Sequence, residues 1–167
     1  GSRSFERLEA FIAAGTAVAG LWCEDWAGVR ETSFGRRLFW DWRRDQQRYR
    51  DLPAQIAALQ ARGIRFLAYA NPYLAVDGIL YEEAADKGHF CLRQDCDEPY
   101  LVDFGEFDCG VLDFTRAETR DWFADTVLGR EMLDIGVSGW MADFGEYLPT
   151  DVRLHDGSDP MEAHNRW

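Results

Sequence analysis

The sequence has a single lysine, Lys87, and only 18 basic side chains against 30 acidic ones, a formal net charge of −12 over 167 residues. A field of that sign repels polyanions, and no local basic cluster offsets it, so nucleic acid and anionic membrane surfaces are excluded as partners. No apolar stretch approaches the roughly 18 residues of a membrane-spanning helix, and no charged-then-apolar leader opens the chain. The four cysteines, Cys23, Cys91, Cys96 and Cys109, form neither a CxxC pair nor a dense framework, which suits a reducing compartment. A zinc set of His89, Cys91, Cys96 and Cys109 is conceivable, but its spacing matches no common finger. His89, His155 and His164 have no partner at triad or metal-ligand spacing. There is no G-x-S-x-G elbow, G-x-G-x-x-G turn or phosphate-binding loop. Neither a metal nor a cofactor is expected.

What is present is apolar mass: 47% hydrophobic residues, with 7 Trp, 6 Tyr and 11 Phe, enough for one globular core. Phe5, Leu8, Phe11 and Ile12 recur at helical spacing, and Gly15 follows where a left-handed cap sits. An apolar run over 18–23 then ends at Glu24 and Asp25. Asp51 and Pro53 open a second helix carrying Leu52, Ile56 and Leu59, with Gly63 as its stop. A second apolar run over 64–70 ends at Asn71. Thr115 and Glu118 read as a capping box for a third helix, whose inner face holds Ala124, Val127, Leu128 and Ile135. Gly136 ends it, and a third run over 137–142 leads to Asp143.

Helix, glycine, short apolar run and terminal polar residue thus occur three times. Strands apolar on both faces are buried on both faces, and with helices between them they pair in parallel. The pattern predicts an α/β fold with functional groups at the C-terminal strand ends, where Glu24, Asp25, Asn71 and Asp143 fall. Two long insertions follow strand ends, over 26–50 and 73–114, and within the second a hairpin is expected over 88–102. Loops of that length in a compact domain are usually functional. The first residues run straight into a helical pattern and the last stop without a terminating signal, the expectation for a segment of a longer protein.

Asp143 ends a buried strand between Trp140 and Phe144, so its carboxylate either serves chemistry or caps the next element or pairs with an arginine. Glu146, three residues on, is its candidate hydrogen-bonding neighbour. Glu24 and Asp25 are adjacent and point to opposite faces of a strand, so one looks into a shared site; the alternation assigns Asp25 to holding the following loop. Around Phe34-Gly35-Arg36-Arg37-Leu38-Phe39-Trp40-Asp41-Trp42, guanidinium groups stand beside indoles. This arrangement suits a sulfonate, sulfate, phosphate or carboxylate, or else a packed aromatic loop with solvated arginines. Exposed aromatic rings also suit the apolar faces of sugars.

The run Gly139-Trp140-Met141-Ala142-Asp143-Phe144-Gly145-Glu146-Tyr147-Leu148-Pro149 resembles the nucleophile strand of glycoside hydrolase family 31. The segment from Asp113 through Phe114, Thr115 and Arg116 to Trp122 resembles that family's preceding helix start, and the expected hairpin from Gly88 to Tyr100 fits its pattern. The Phe144–Pro149 run, together with Glu24, Arg37 and Trp40, is similar to the family's sulfoquinovosidase branch, which hydrolyses α-glycosides of 6-deoxy-6-sulfoglucose. The resemblance covers nearly the whole chain.

It implies residues 1–167 of a single catalytic (β/α)8 TIM barrel, with about three parallel strands, intervening helices and a hairpin insertion at about 75–112. A whole barrel takes about 250 residues. It further implies that Asp143 is the catalytic nucleophile, that Arg37 and the Trp40 indole bind a sulfonate, that Glu24 bonds a ring hydroxyl, and that Asp25 and Glu146 support them. The acid/base is an Asp on a later strand, past Trp167. The branch's lysine has no counterpart here, since Lys87 lies in the insertion. A small sulfonated glycoside is the implied partner and the bacterial cytoplasm the implied compartment; the oligomeric state stays open. The competing readings are a family 31 α-glycosidase for a neutral or carboxylated sugar, and a noncatalytic carbohydrate-binding fragment.

Overall fold

The computed structural model describes residues 2–167. Along the chain, α1 (Ser2–Ala13) leads to β1 (Gly20–Trp22), a 3-10 turn (Glu24–Ala27) and the hairpin of β2 (Val29–Thr32) and β3 (Gly35–Leu38). Next come α2 (Leu52–Gln60), β4 (Arg65–Ala70), β5 (Tyr73–Ala75), α3 (Ile79–Asp86), β6 (Leu92–Arg93), β7 (Leu101–Asp103) and β8 (Asp108–Val111). The last part holds α4 (Ala117–Phe123), β9 (Gly139–Ala142), β10 (Val152–Arg153) and α5 (Pro160–Ala163).

Three of these strands, β1, β4 and β9, form one parallel sheet with β4 in the middle, in which Leu21 faces Phe66 and Ala68 faces Trp140. Each is entered through the same turn. After α1, Gly15 N–H bonds Ile12 O at 2.9 Å and Thr16 N–H bonds Phe11 O at 3.0 Å. The pattern recurs at Gly63, with Gln60 O and Leu59 O, and at Gly136, with Leu133 O and Met132 O. The three glycines have φ of 83°, 76° and 95°. This Schellman motif needs a left-handed residue, the reason a glycine stands before each strand. The helices pack on β4 through Leu52, Ile56 and Leu59 of α2, all buried, and through Phe5, which stacks on Phe66 at 6.4 Å.

The strands are not equally buried. Phe66, Ala68, Tyr69 and Ala70 of β4 are inside, whereas Trp22 of β1 and Met141 of β9 are each 46% exposed. Among the described residues only the central strand is flanked by a strand on each side, and the outer two keep an open edge that leaves their side chains less covered. Among the described residues β1 and β9 are the open edges of this sheet.

The third helix departs from expectation. The Thr115–Glu118 capping box does not form: Thr115 Oγ1 donates to Asp113 Oδ1 at 2.6 Å, and the helix begins after Arg116 without a side-chain cap. A charge-assisted bond to a buried carboxylate outcompetes a bond to a helical N–H. After α4 the chain widens into a π-helical stretch (Ala124–Arg130) and tightens into a 3-10 turn (Leu133–Ile135), in place of one continuous helix.

The second insertion folds as a three-stranded antiparallel sheet in the order β5-β8-β7, with α3 beside it. Around 88–102 the chain reverses, with Arg93 N–H on Glu98 O and Tyr100 N–H on Cys91 O; β6 pairs with the distant β10. Helix α3 and the β7–β8 hairpin carry no clear pattern in the sequence. All four cysteines are free, and His89, Cys91, Cys96 and Cys109 are not gathered into a metal-ligating group, so the zinc candidate is dropped. Among the described residues no helix is long and apolar enough to cross a membrane.

A methyl group at Gly63 would meet nothing within 4 Å, whereas at Gly136 it would sit 2.9 Å from Ile56 Cγ2. Gly63→Ala should therefore cost only the left-handed strain, about 1 kcal/mol. Gly136→Ala should cost about 2 kcal/mol or more. Urea unfolding of full-length protein carrying each change measures the order, and equal losses would show that the contact with Ile56 is immaterial.

Candidate active site

Parallel pairing brings the ends of β1, β4 and β9 to one side of the sheet, and with them Glu24, Tyr69, Asn71 and Asp143. Asp143 continues the ladder, its N–H bonding Ala70 O at 3.1 Å. Its Oδ2 accepts a hydrogen bond from Tyr69 Oη at 2.8 Å. Asn71 Nδ2 in turn donates to Tyr69 Oη at 3.3 Å, while Asn71 Oδ1 accepts the Tyr73 N–H at 3.0 Å. Burial pushes the Tyr69 hydroxyl well above its ordinary range; Asn71 opposes that, and the carboxylates of Asp143 and Glu24 reinforce it. It is therefore a proton donor at neutral pH. Phe144 follows with φ of 57°, a left-handed residue that bears a side chain. Strain of about 1–3 kcal/mol persists there only because neighbours hold it. Tyr147 N–H closes the turn on Phe144 O, and the Tyr73 hydroxyl bonds Tyr147 O.

Beside these groups lies a cavity of about 650 Å³ between the β2–β3 hairpin, the 3-10 turn and the β7–β8 hairpin; Glu24, Arg37, Trp40, Arg48, Tyr69 and Phe144 are among its lining. Both arginines of β3, Arg36 and Arg37, are exposed and line this cavity, and they differ in their partners. Arg36 Nε pairs with Glu31 at 2.8 Å, whereas Arg37 has no carboxylate partner among the described residues. The guanidinium of Arg30 is already committed: it grips Asp77 at 2.7 Å and lies over Phe39 and Phe107, 4.8 and 4.5 Å from their centroids.

Trp40 is buried among Trp42, Tyr73, Phe104, Phe107 and Phe144, edge-on to Phe104 at 4.7 Å. Its indole N–H has no acceptor among the described residues. The other buried indoles all do: Trp26 bonds Tyr69 O, Trp42 bonds Tyr73 O and Trp122 bonds Glu83, each at 2.8 Å. An unpaired buried donor costs about 1–3 kcal/mol, so the fold holds Trp40 in place against that cost.

The remaining expected residues divide. Asp25 accepts from Arg48 Nη2 at 2.9 Å and from the Tyr49 hydroxyl, tying the first insertion to the end of β1. Glu146 is exposed and lines a different cavity, with Tyr100 and Tyr147, because the Phe144 turn carries it out. Asp143 itself lines a smaller cavity of about 160 Å³ with Asn71 and Trp140, while its hydrogen-bond donor Tyr69 lines the larger one. Sequence reasoning missed Tyr69, which hid inside an apolar run; the available signal was that a buried phenol needs a hydrogen-bonding partner. It also missed Tyr73, Phe104 and Phe107, which reach the site from the second insertion.

Residues 8–167 match the Glycosyl hydrolases family 31 TIM-barrel domain. The chain is 58% identical over its whole length to the sulfoquinovosidase of Agrobacterium fabrum, and 44% identical over 97% of its length to that of Escherichia coli. It spans about a quarter of each relative, 25% and 24%. Among solved structures, a family 31 sulfoquinovosidase from E. rectale in complex with an aza-sugar inhibitor superposes with a TM-score of 0.92 at 52% identity, over 98% of this chain and 24% of that one.

Burial works to raise the Asp25 carboxyl, but the hydrogen bonds from Tyr49 and Arg48 outweigh it and hold the group below the ordinary carboxylate range. A depressed folded-state value contributes stability that is present above the unfolded value of about 3.9 and lost as pH falls through the folded one. Asp25→Asn should thus lower the melting temperature of full-length protein at pH 7 and narrow its gap from the parent below about pH 3.5. A gap that stays constant across pH would rule out this origin.

Proposed function

Because this chain belongs to glycosyl hydrolase family 31, we propose that it forms the nucleophile-bearing part of a retaining α-glycosidase that releases sulfoquinovose from α-sulfoquinovosides. One observation carries the reading: a cavity beside the strand ends is lined by a guanidinium without a carboxylate partner, Arg37, and by a buried indole without an acceptor, Trp40. A sulfonate answers both, since its oxygens accept from a forked donor and from an N–H together. Glu24, exposed on the same cavity, is the residue that takes a ring hydroxyl in this reading. Residues 1–167 are then part of one catalytic barrel domain, with 75–112 as an insertion that packs aromatic rings behind Trp40. The bacterial cytoplasm is part of the same proposal for the parent protein.

Asp143 Oδ1 attacks the anomeric carbon as the glycosidic C–O bond breaks. The aglycone oxygen takes a proton from a carboxylic acid supplied by the protein beyond this chain. Water then attacks the glycosyl-enzyme, its proton passing to that same carboxylate, and the bonding pair returns to Asp143. In retaining enzymes the two carboxyl groups lie about 5–5.5 Å apart. The buried Tyr69 donor and the backbone of β4 hold Asp143 for this step.

Residues 1–167 alone should not turn over an aryl α-sulfoquinovoside, whereas full-length protein should release sulfoquinovose with retention, followed by NMR of the first product anomer. Turnover by the isolated chain would show that a second carboxyl within it suffices. Arg37→Ala in the full-length protein should cut kcat/KM about 10- to 100-fold on the sulfonated substrate and change that for an aryl α-glucoside little. Equal losses on both would make Arg37 a shaper of the cavity.

A further inference from the structure

Asp143 has two carboxylate oxygens, and the protein treats them differently. Oδ2 takes the Tyr69 hydroxyl at 2.8 Å, while no donor is within hydrogen-bonding distance of Oδ1 among the described residues. The direction of that bond is set one residue further back. Asn71 is buried, and its Oδ1 is fixed as acceptor by the Tyr73 N–H, so its Nδ2 faces Tyr69 and donates to the phenol oxygen. With an acceptor position of Oη so occupied, the Tyr69 proton points at Asp143. The relay runs from the β5 backbone through Asn71 and Tyr69 to the carboxylate.

We propose that Tyr69, oriented by Asn71, is a positioning residue that reserves Oδ1 of Asp143 for attack and acts mainly in the second half of the reaction, the release of the sugar. The inference rests on Asp143 being the nucleophile. In the first step the carboxylate loses charge as Oδ1 bonds to the anomeric carbon, so a donor on Oδ2 weakens while it orients; the two effects oppose. In the second step the bond between the anomeric carbon and Oδ1 breaks, its electron pair returns to the carboxylate, and the Tyr69 bond strengthens as the charge develops. Water supplies the new C–O bond and the external acid/base takes its proton.

The test uses full-length protein and an aryl α-sulfoquinovoside. Tyr69→Phe keeps the ring and removes the proton. It should lower kcat about 10- to 100-fold and KM with it, leave kcat/KM within about threefold, and accumulate a glycosyl adduct on the protein, seen by intact mass after a burst of aglycone. Asn71→Asp keeps an acceptor for Tyr73 N–H, loses the donor to Tyr69 and offers its hydroxyl a competing carboxylate. It should shift kcat and KM in the same sense, and decides the matter should the first variant not fold. A fall in kcat/KM as large as that in kcat, with no adduct, would overturn the proposal and leave Tyr69 a structural residue. Unchanged kinetics in both variants would overturn it too. A parent protein inert on the substrate would instead defeat the reading of the site itself.

Discussion

In a parallel ladder every strand points the same way, so the pairing of β4 with β1 and β9 decides where the chemistry of this chain can be. Glu24, Asn71 and Asp143 lie far apart in sequence, and each is the first or second polar residue after its strand. Pairing gathers them on one side. A register slip of one residue would send each to the opposite face, and the buried side chains of β4 forbid it: Phe66 and Ala68 cannot exchange places with the exposed Arg65. The helices and their glycine turns serve this register, because each Schellman motif fixes where a strand begins.

On that base the two insertions build the cavity wall. The β2–β3 hairpin carries Arg37, and it is held against the second insertion at two points. Arg30 lies between aromatic rings and grips Asp77, and Ser33 bonds the Glu106 carboxylate through its N–H and its hydroxyl. Trp40 follows the hairpin and is enclosed by Phe104 and Phe107 of the second insertion. Its N–H has no acceptor and the Arg37 guanidinium no carboxylate partner among the described residues. The −12 net charge bears on this, because a negatively charged ligand gains nothing from the long-range field and must be recognised by short-range geometry.

Much of this was legible in the chain. Apolar runs closed by polar residues, with a glycine before each, are local patterns, and they located β1, β4 and β9 to within two residues at each end. Alternation along a strand did not distinguish Arg36 from Arg37, both of which line the cavity, and Glu24 and Asp25 lie in a 3-10 turn rather than in a strand, so the bonds of Asp25 to Arg48 and Tyr49 come from the packing of the first insertion. The capping box misled because it weighs only local partners. Thr115 has a better one in Asp113, a buried carboxylate that also accepts the His155 N–H across 42 residues of sequence. Glu146 reads as a neighbour of Asp143 because it lies three residues on, and the left-handed Phe144 turn carries it to a different cavity.

By itself, then, the sequence determined the repeating helix–glycine–strand unit, the family, and which residue types end the strands, since all of these depend on neighbours a few positions apart. Only the tertiary structure decided that Tyr69 is a donor to Asp143, that Asn71 donates to its hydroxyl, and that among the described residues Trp40 is the buried indole without an acceptor. The physical reason is that a hydrogen bond's direction and a group's desolvation belong to pairs brought together across 74 residues, as for Tyr69 and Asp143, and no local pattern encodes such a pair.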